Sequence, residues 1–358
     1  MYSPPKSMVP FLVLPAAMFE IAIRTRNLLY DRRFLASRRL EGPVISIGNL
    51  TLGGAGKTPL VIHVAQLVAD LGKTPVLLSR GYRRRGPGSA LILPPGTPNS
   101  RPALELGDEP ALIRSKVPKI WLGISPDRFG TGRAIAGRLP GAVFILDDGM
   151  QHRKLARTLD IAVIDVTQRF AGNRIFPCGS LREPVGALRR CDAAVINGDV
   201  TDTRTAEVRQ AIARMGARAE VFHCIQQITA LARHSGGDVA SAPAVRDRVR
   251  VFLVAAIGNP ERFHRDVERL QLDIRGARFF RDHHVLSRDN WRSCWSRARA
   301  LGAEFLLTTE KDAIKLAEAA GIPLLVARQS VRIVEEEAFR SLVCRSIQGS
   351  CIDEHQPQ

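Results

Sequence analysis

Short apolar runs, several of them rich in β-branched residues, alternate along this chain with stretches of helical periodicity. Runs of about four to eight such residues form strands that are buried on both faces. Their alternation with helices predicts an α/β fold built on a doubly wound parallel sheet. The predicted strands are Val44–Ile47, Pro75–Leu78, Lys119–Leu122, Val143–Leu146, Ile161–Ile164 and Ala193–Ile196. The predicted helices are Pro59–Leu71, Glu109–Lys116, Arg128–Leu139 and Thr203–Met215.

The same alternation restarts in the second half of the chain, and 358 residues are enough for two domains. A strand predicted at Val221–Leu231 and a polar patch at His234–Ala244 come before the restart. The later predicted elements are Arg250–Ala256, Pro260–Leu270, Phe305–Thr308 and Leu324–Val326. We therefore predict an N-terminal segment at 1–40, an α/β domain at 41–220, a smaller α/β domain at 221–347 and a frayed tail at 348–358.

The charge of the chain predicts an anionic partner. Lysine and arginine number 52 against 35 acidic residues, for a net charge of +17. Nucleic acid, an acidic membrane surface and a phosphorylated substrate all fit this excess, although an aromatic content of 6% argues against a base-stacking platform. The six cysteines are scattered without a metal-binding spacing, which favours reduced thiols in a cytoplasmic protein.

The N-terminal segment joins an apolar run to a basic one. Residues 8–19 are uncharged, with Pro10 and Pro15 as breaks, and Glu20 and Arg24 fit an i,i+4 pair on a short helix. The arginines that follow the run oppose export as a signal peptide. Two alternatives stay open, namely a helix packed on its own domain and an element that lies in the interface of an anionic membrane. An uncharged run of about 18 residues, as a membrane span needs, does not occur.

The sequence from Val44 to Pro59 reads as a strand, a glycine-rich turn and a helix start at Gly56-Lys57-Thr58. This is the pattern of a phosphate-binding loop, in which backbone N–H groups surround phosphates, the lysine reaches the β/γ oxygens and the hydroxyl ligates Mg²⁺. Thr51 stands where the general pattern has its first glycine, and the other glycines of the turn compensate. The alternative is a chance glycine turn in front of a helix.

A second motif, Val143-Phe-Ile-Leu-Asp-Asp-Gly-Met-Gln-His152, ends an apolar strand in two carboxylates. An acid at the end of a strand in the same sheet as the phosphate loop lies beside the metal of a phosphoryl-transfer site. We therefore predict metal-site roles for Asp147 and Asp148. A turn-forming role is the alternative.

Three further motifs lie in predicted loops or at helix starts. Ser79-Arg-Gly-Tyr-Arg83 follows a strand at the edge where doubly wound sheets bind anions. Gly107-Asp-Glu-Pro110 precedes a helix, so its acids fit either a site or a helix cap. The loop Asn173–Pro184 is rich in turn formers and carries Arg182 and Glu183, which favours binding over a purely structural role.

The second half carries Asp282-His-His284 and Thr309-Glu-Lys-Asp312. His283 lacks the companion ligands of a metal site. A histidine paired with a carboxylate across a cleft is the favoured interpretation, and a surface histidine is the alternative.

Together and in this order, these elements resemble the tetraacyldisaccharide 4'-kinase family, the lipid A 4'-kinases of Gram-negative bacteria. The resemblance spans residues 44 to about 312, and Thr51 matches the family's own form of the loop. Met150 and Cys178-Gly-Ser180 depart from the family at supporting positions. The residues that carry the resemblance are Gly48–Pro59, Ser79–Tyr82, Gly107–Pro110, Asp147–His152, Phe176–Pro184, Ile257–Pro260, Asp282–His284 and Thr309–Asp312.

The resemblance implies a P-loop NTPase-type fold and transfer of the γ-phosphoryl group of ATP, with Mg²⁺, to the 4'-hydroxyl of a tetraacylated glucosamine disaccharide 1-phosphate. It also implies a peripheral enzyme on the cytoplasmic face of the inner membrane, with an anionic membrane surface and not a nucleic acid as partner. A switch or transport NTPase is the competing class, but the sequence has no Asn-Lys-x-Asp or ABC-type signature. Oligomeric state and acyl-chain preference stay open.

The resemblance also assigns roles to individual residues. Asp108 is implied as catalytic, with His283 as its partner and Lys57 on the phosphates. The implied nucleotide contacts are Thr51, Gly53, Gly54, Ala55, Gly56, Lys57 and Thr58. The implied metal-site residues are Thr58, Glu109, Asp147 and Asp148, and the implied contacts to substrate or phosphate are Arg80, Gln151, His152, Arg182 and Glu183.

Overall fold

The structure of this protein is a computed structural model. It describes residues 5–81, 84, 90–97, 103–168, 173–235, 238–241, 249–282, 284–316 and 321–348. Tyr82, Arg83 and His283 lie outside the described residues. Of the tail predicted to fray at 348–358, Gln348 is the last residue of a helix, and residues 349–358 lie outside the described residues.

Thirteen strands in the described part of the chain form one sheet. They are β1 (Val44–Asn49), β2 (Thr74–Ser79), β3 (Leu91–Leu93), β4 (Trp121–Ile124), β5 (Ala142–Asp147), β6 (Leu159–Asp165), β7 (Ala193–Asn197), β8 (Glu220–Ser235), β9 (Asp238–Ser241), β10 (Arg250–Ala255), β11 (Asp273–Phe279), β12 (Phe305–Thr309) and β13 (Leu324–Ile333). Across the sheet they follow the order β11-β10-β12-β13-β8-β7-β6-β1-β5-β2-β4-β3, and β9 pairs with β8. Neighbours are parallel except at β13–β8, β3–β4 and β8–β9.

Helices cover both faces of this sheet. They are α1 (Val9–Asp31), α2 (Lys57–Asp70), α3 (Ala103–Leu106), α4 (Asp108–Lys116), α5 (Arg128–Ala136), α6 (Thr203–Arg214), α7 (Pro260–Glu268), α8 (Arg288–Ala300), α9 (Glu310–Ala313) and α10 (Glu336–Gln348). Short 3₁₀ turns occur at Lys6–Met8 and Val185–Arg190.

Five of the six apolar runs predicted as strands in the first half lie within strands of the sheet, and the sixth, Lys119–Leu122, overlaps β4 only at Trp121 and Leu122. Every residue of β1, β5 and β7 is buried, as expected of strands covered by helices on both faces. β1 lies between β5 and β6, and the register of β1 and β5 sets Ile47 opposite Asp147. The mixed α/β fold with a mostly parallel sheet is therefore confirmed.

The sequence pattern did not indicate seven elements, namely β3, β9, β11, α3, α8, α9 and α10. Strand β11 lies at the edge of the sheet and its residues are at most half-buried, so it lacks the continuous apolar run that marks an inner strand. Helix α8 buries only Trp291, Cys294 and Ala298 on a face that is surrounded by arginines. Apolar periodicity is too sparse in such segments to indicate an element.

The two halves of the chain share one sheet through β8. This strand begins at Glu220, pairs in parallel with β7 and pairs antiparallel with β13. Helix α10 also packs back on the first half, because Phe339 lies 6.1 Å from His63 of α2 between ring centroids. The division at residue 220 stays a prediction, and it coincides with the start of this shared strand.

Helix α1 is a single helix of 23 residues, longer than the short helix expected around Glu20. Pro10 occupies the first turn, where its missing N–H is harmless, and Pro15 lies inside the helix without ending it. The expected pair is present, with Arg24 Nη2 2.6 Å from Glu20 Oε1. Among the described residues, no helix combines the length and apolar character needed to cross a membrane.

The carboxyl-terminal half of α1 is fastened to the body of the protein. Asn27 Nδ2 donates to Glu183 Oε2 at 2.8 Å, and Arg153 donates to the Asn27 carbonyl at 3.0 Å and to Asp31 at 2.7 Å. The carboxylate of Glu183 is fully buried and also pairs with Arg190, whose Nη1 atom lies 2.9 Å from Glu183 Oε2. The amino-terminal half of α1, in contrast, exposes most of its apolar side chains.

We predict that the substitution Glu183→Gln lowers the free energy of unfolding by about 2 kcal/mol, because it removes the charge of a fully buried carboxylate and leaves the half-buried Arg190 without its counter-charge. Urea denaturation measures this loss, and trypsin cleavage within α1 reports the loosened helix. The control is Glu20→Gln, which breaks a pair near the surface and is expected to cost less than about 0.5 kcal/mol. Equal losses in the two variants would contradict the anchoring role.

Candidate active site

A cavity of about 900 Å³ lies where the loops after β1, β2 and β5 meet loops of the second half of the chain. Ligands of doubly wound sheets bind at this edge, outside the carboxyl ends of the strands. The segments that line it come from α1, the glycine-rich turn, the starts of α2 and α4, and the loops that follow β10 and β12. Elements far apart in sequence therefore share one site.

The glycine-rich turn has the backbone of a phosphate loop. Gly53 and Gly56 take φ values of 103° and 79°, a region that other residues rarely adopt, and helix α2 begins directly afterwards at Lys57. Lys57 Nζ lies 2.9 Å from Asn49 Oδ1 and 3.3 Å from an oxygen of Asp148. Residues 52–59 all line the cavity, so the amide groups at the start of α2 face it.

Thr51 lies beneath the loop and not on the cavity wall. It forms an antiparallel bridge with Leu181, it is buried, and its carbonyl accepts a hydrogen bond of 2.8 Å from Asn49 Nδ2. The residue that replaces the expected first glycine thus joins the phosphate loop to the segment 173–184. This arrangement differs from the nucleotide contact expected of Thr51, since its side chain supports the loop from behind.

Asp147, the last residue of β5, lies buried beside the loop. Its Oδ1 atom has no hydrogen-bond partner among the described residues, although it is fully enclosed. Burial, and then the negative charges of Glu109 and Asp148, raise the pKa of Asp147 to about 7, against the opposing charges of Lys57 and Arg128. An enclosed, unpartnered carboxylate oxygen on a cavity wall is the type of ligand that a divalent cation requires.

Asp148 is held by two cations. Arg182 donates to both of its carboxylate oxygens, at 2.8 and 3.0 Å, and Lys57 approaches from the phosphate loop. Partial burial alone would raise the pKa of Asp148, but the charges of Lys57 and Arg182 outweigh it and hold the pKa below its usual value. Asp148 therefore stays ionised and fixes these two side chains on the cavity wall.

The Gly107-Asp-Glu motif starts α4, but Asp108 does not cap it. Gly107 occupies the cap position, with φ of 90°, and Asp108 is the first helical residue. Its carboxylate lies 2.9 Å from the buried Lys315 Nζ, whereas Glu109 lines the cavity. Asp108 is therefore not the helix cap, and its only effect on the helix itself is a favourable negative charge in the first turn.

The second half of the chain contributes a lysine to this acidic wall. Lys311 Nζ lies 3.7 Å from Glu109 and 3.5 Å from Asp282. Burial would lower the pKa of Lys311, but Glu109, Asp282 and other nearby acids raise it overall. His283 lies outside the described residues, and its neighbour His284 stacks on Phe280 at 5.2 Å.

Basic and neutral polar side chains also line the cavity. Arg80, Gln151, His152 and Arg182 all line the cavity, as expected from the sequence. Burial, and then the charges of Arg128 and other basic neighbours, lower the pKa of His152 to about 4, so this ring is neutral at ordinary pH. Glu183 does not line the cavity. Its buried carboxylate contacts Asn27 and Arg190, which corrects the expected role in binding substrate or phosphate.

Sequence reasoning missed several polar residues in and around the site. Arg128 is buried and donates to the Asp147 carbonyl at 2.9 Å. Asn197, Gln168 and Arg262 contact the phosphate loop or one another. Asn197 offered a signal, because it is a polar residue at the end of a buried strand, as Asp147 is.

The comparisons with known proteins agree with this geometry. The family model described as Tetraacyldisaccharide-1-P 4'-kinase matches residues 8–348. The tetraacyldisaccharide 4'-kinase of Syntrophus aciditrophicus is 35% identical and that of Geobacter sulfurreducens 37%, over 95% and 85% of this chain and 94% and 83% of those proteins. The crystal structure of "apo" form LpxK from Aquifex aeolicus in complex with ATP is 28% identical and superposes with a TM-score of 0.74, covering 95% of this chain and 99% of that one. The chain belongs to the tetraacyldisaccharide 4'-kinase family.

Proposed function

We propose that this protein transfers the γ-phosphoryl group of ATP to the 4'-hydroxyl of a tetraacyl disaccharide 1-phosphate, a step of lipid A synthesis. The observation that carries the proposal is the shared cavity, in which the phosphate loop lies beside two strand-end carboxylates and an arginine. The assay is radiolabelled ATP with the tetraacyl disaccharide 1-phosphate in detergent micelles. A labelled 1,4'-bisphosphate lipid supports the proposal, and hydrolysis of ATP without lipid labelling would contradict it.

Different residues of the cavity are proposed to bind the phosphates and the metal. The phosphate-loop amides and Lys57 bind the β/γ phosphates, while Arg182 and Arg80 offset their charge. Thr58, Asp147 and Glu109 are the oxygen donors that fit Mg²⁺, and Asp148 orients Lys57 and Arg182 beside them. Mg²⁺ usually needs only one or two protein carboxylates besides the phosphates, and it neutralises charge on the transferred group. Among the described residues, no three His, Cys, Asp or Glu side chains form a metal-holding group. The proposed donor set is instead two carboxylates, the Thr58 hydroxyl and the phosphates.

We assign the acceptor side of the reaction to Asp108 and His283. A sugar hydroxyl needs a proton acceptor, and Asp108 lies next to the cavity residue Glu109 at the start of α4. Asp282, which precedes His283, lines the same cavity. Asp108 would then accept the proton of the acceptor hydroxyl, with His283 as its partner, as the family resemblance implies.

Helix α1 gives the protein its proposed contact with the membrane. Phe19, Ile23 and Arg26 line the cavity, while Phe11, Leu14 and Met18 are exposed on the amino-terminal half. An acylated substrate leaves a bilayer only at a cost of about 0.8 kcal/mol per exposed CH₂ group, so the enzyme must reach it at the surface. We propose a peripheral position on the cytoplasmic face of the inner membrane, in which the net positive charge favours anionic lipid.

We predict that Lys57→Ala and Thr58→Ala each abolish turnover and leave the fold intact, because these side chains serve phosphate and metal. Phosphoryl transfer is measured with the labelled assay and folding by circular dichroism. The control is Lys73→Ala, an exposed lysine in the turn after α2, which should retain full activity. Activity at the level of the unmodified protein in either loop variant would remove the phosphate-loop assignment.

We predict that Asp108→Ala lowers kcat by about 10²-fold or more with little change in the KM for ATP, as expected of a proton acceptor in the transition state. The control is Asp202→Ala, because Asp202 caps α6 through the Arg204 N–H and should cost only about 1 kcal/mol of stability. An Asp108 variant that behaves like this cap, with stability lost and kcat unchanged, would refute the catalytic role.

We predict that replacing Phe11, Leu14 and Met18 together by glutamine reduces binding to anionic vesicles without lowering the melting temperature. These side chains are between 64% and 81% exposed, so they stabilise the fold little, and they lie outside the anchored half of α1. Sedimentation with vesicles at rising salt measures the binding, and ATP binding should persist. The matched control is Val200→Gln and Val334→Gln, which change exposed apolar residues elsewhere. If the triple variant binds vesicles as well as the unmodified protein does, the amino-terminal half of α1 is not the membrane contact.

A further inference from the structure

Two side-chain amides hold the phosphate loop from behind. Gln168 Nε2 donates to the Gly54 carbonyl at 3.3 Å, and Asn197 Nδ2 donates to the Ala55 carbonyl at 3.2 Å. Both amides lie at or just beyond the carboxyl ends of neighbouring strands, since Asn197 ends β7 and Gln168 follows β6. Two successive peptide groups of the loop are therefore fixed by side chains.

These contacts determine where the loop's N–H groups point. In a planar trans peptide the carbonyl and the following N–H point in opposite directions. Holding the carbonyls of Gly54 and Ala55 away from the cavity turns the N–H groups of Ala55 and Gly56 towards it. Donors oriented in this way form the concave anion site of a phosphate loop.

The packing around Asn197 is tight. A Cβ atom added to Gly56 would lie 2.2 Å from Asn197 Nδ2, so the amide fills the space next to this glycine. Asn197 is also almost fully buried at the end of β7. Its position is thus set by the sheet and not by the loop that it contacts.

The second half of the chain reaches the same two peptides. Arg262 on α7 donates to Asn197 Oδ1 at 3.0 Å. Asn259 donates to Thr167, next to Gln168, at 2.9 Å. A Cβ atom added to Gly258 would lie 2.8 Å from the Gly54 nitrogen, so the two backbones are in direct contact. Because Asn197 receives Arg262 on its oxygen and gives its N–H₂ to the loop, it relays the position of α7 to the phosphate loop.

We propose that Asn197 and Gln168 are positioning residues that orient the phosphate-loop amides, and that Arg262 makes this orientation depend on the second half of the chain. This inference rests on the proposed function, since it concerns how the same site recognises a triphosphate. The phosphate loop would then be complete only when α7 is docked against it.

The test uses the full chain with inorganic tripolyphosphate and ATP as probes. The variants Asn197→Leu and Gln168→Met keep volume and charge but remove the amide. Each variant removes the amide that orients one peptide group of the loop. The affinity for each probe is therefore expected to fall about tenfold, as for a lost hydrogen bond of about 1.4 kcal/mol. Equal weakening for the two probes locates the effect at the phosphates. Weaker ATP binding with unchanged tripolyphosphate binding would overturn the proposal, because the amides would then serve the nucleoside.

Arg262 is tested by a double-mutant cycle measured by tripolyphosphate titration. Arg262→Met should also weaken binding, and Asn197→Leu combined with Arg262→Met should be no weaker than Asn197→Leu alone. Arg262→Lys, which keeps a donor for Asn197 Oδ1, should recover most of the affinity. Additive losses would show that Arg262 binds phosphate directly and would overturn its role as a relay.

Controls separate this device from the proposed function. Gln66→Met removes an exposed amide that contacts the Lys116 carbonyl at 3.5 Å and should leave tripolyphosphate binding unchanged. If Asn197→Leu does not fold, the test relies on Gln168→Met, because Gln168 lies in a loop and not in a buried strand. The same tenfold loss of affinity is expected of this variant. A wild-type protein that fails to bind tripolyphosphate would overturn both the loop assignment and the device. Wild-type binding that no variant weakens would overturn the device alone.

Discussion

The site depends on one charge network, in which Asp148 joins Lys57 to Arg182. The three residues come from the end of β5, the start of α2 and the segment 173–184, and a single carboxylate holds both cations. Asp148 reaches this position with a φ of 49°, a conformation that a non-glycine residue adopts only when its surroundings enforce it. Lys57 and Arg182 repel each other, and the negative charge of Asp148 offsets this repulsion. The carboxylate therefore allows both cations to lie on the same wall of the cavity.

The sheet makes the network possible because it places the ends of β1 and β5 side by side. Segment 173–184 then pairs with the loop after β1, through Leu52 N–H to the Ser180 carbonyl and Arg182 N–H to the Leu50 carbonyl. Segment 173–184 must turn back to make this pairing, which accounts for its turn-forming residues. Thr51 lies between the two paired positions, Leu50 and Leu52, and bridges Leu181. A glycine at 51 would have no side chain to pack beneath the loop.

Helix α1 packs on its own domain at its carboxyl-terminal end, and the membrane contact proposed for its amino-terminal end stays a prediction. Its carboxyl-terminal half packs on its own domain through Asn27, Tyr30 and Asp31, which face Arg153, and through the buried Glu183. Its amino-terminal half exposes an apolar surface next to the cavity mouth. The helix can therefore be fixed to the protein and still present apolar side chains to a lipid surface, because the two tasks fall on different turns.

The sequence by itself determined the parallel sheet, the phosphate loop and the pair of acids after β5, because each depends on local patterns of apolar periodicity, glycine and strand-end charge. It did not reveal the roles of Glu183, Asn197 or Arg262. Their side chains act on residues between 65 and 156 positions away, so only the folded chain brings the partners together. A buried polar side chain must find a partner, but the sequence does not say which one, since that choice belongs to the packing of the strands.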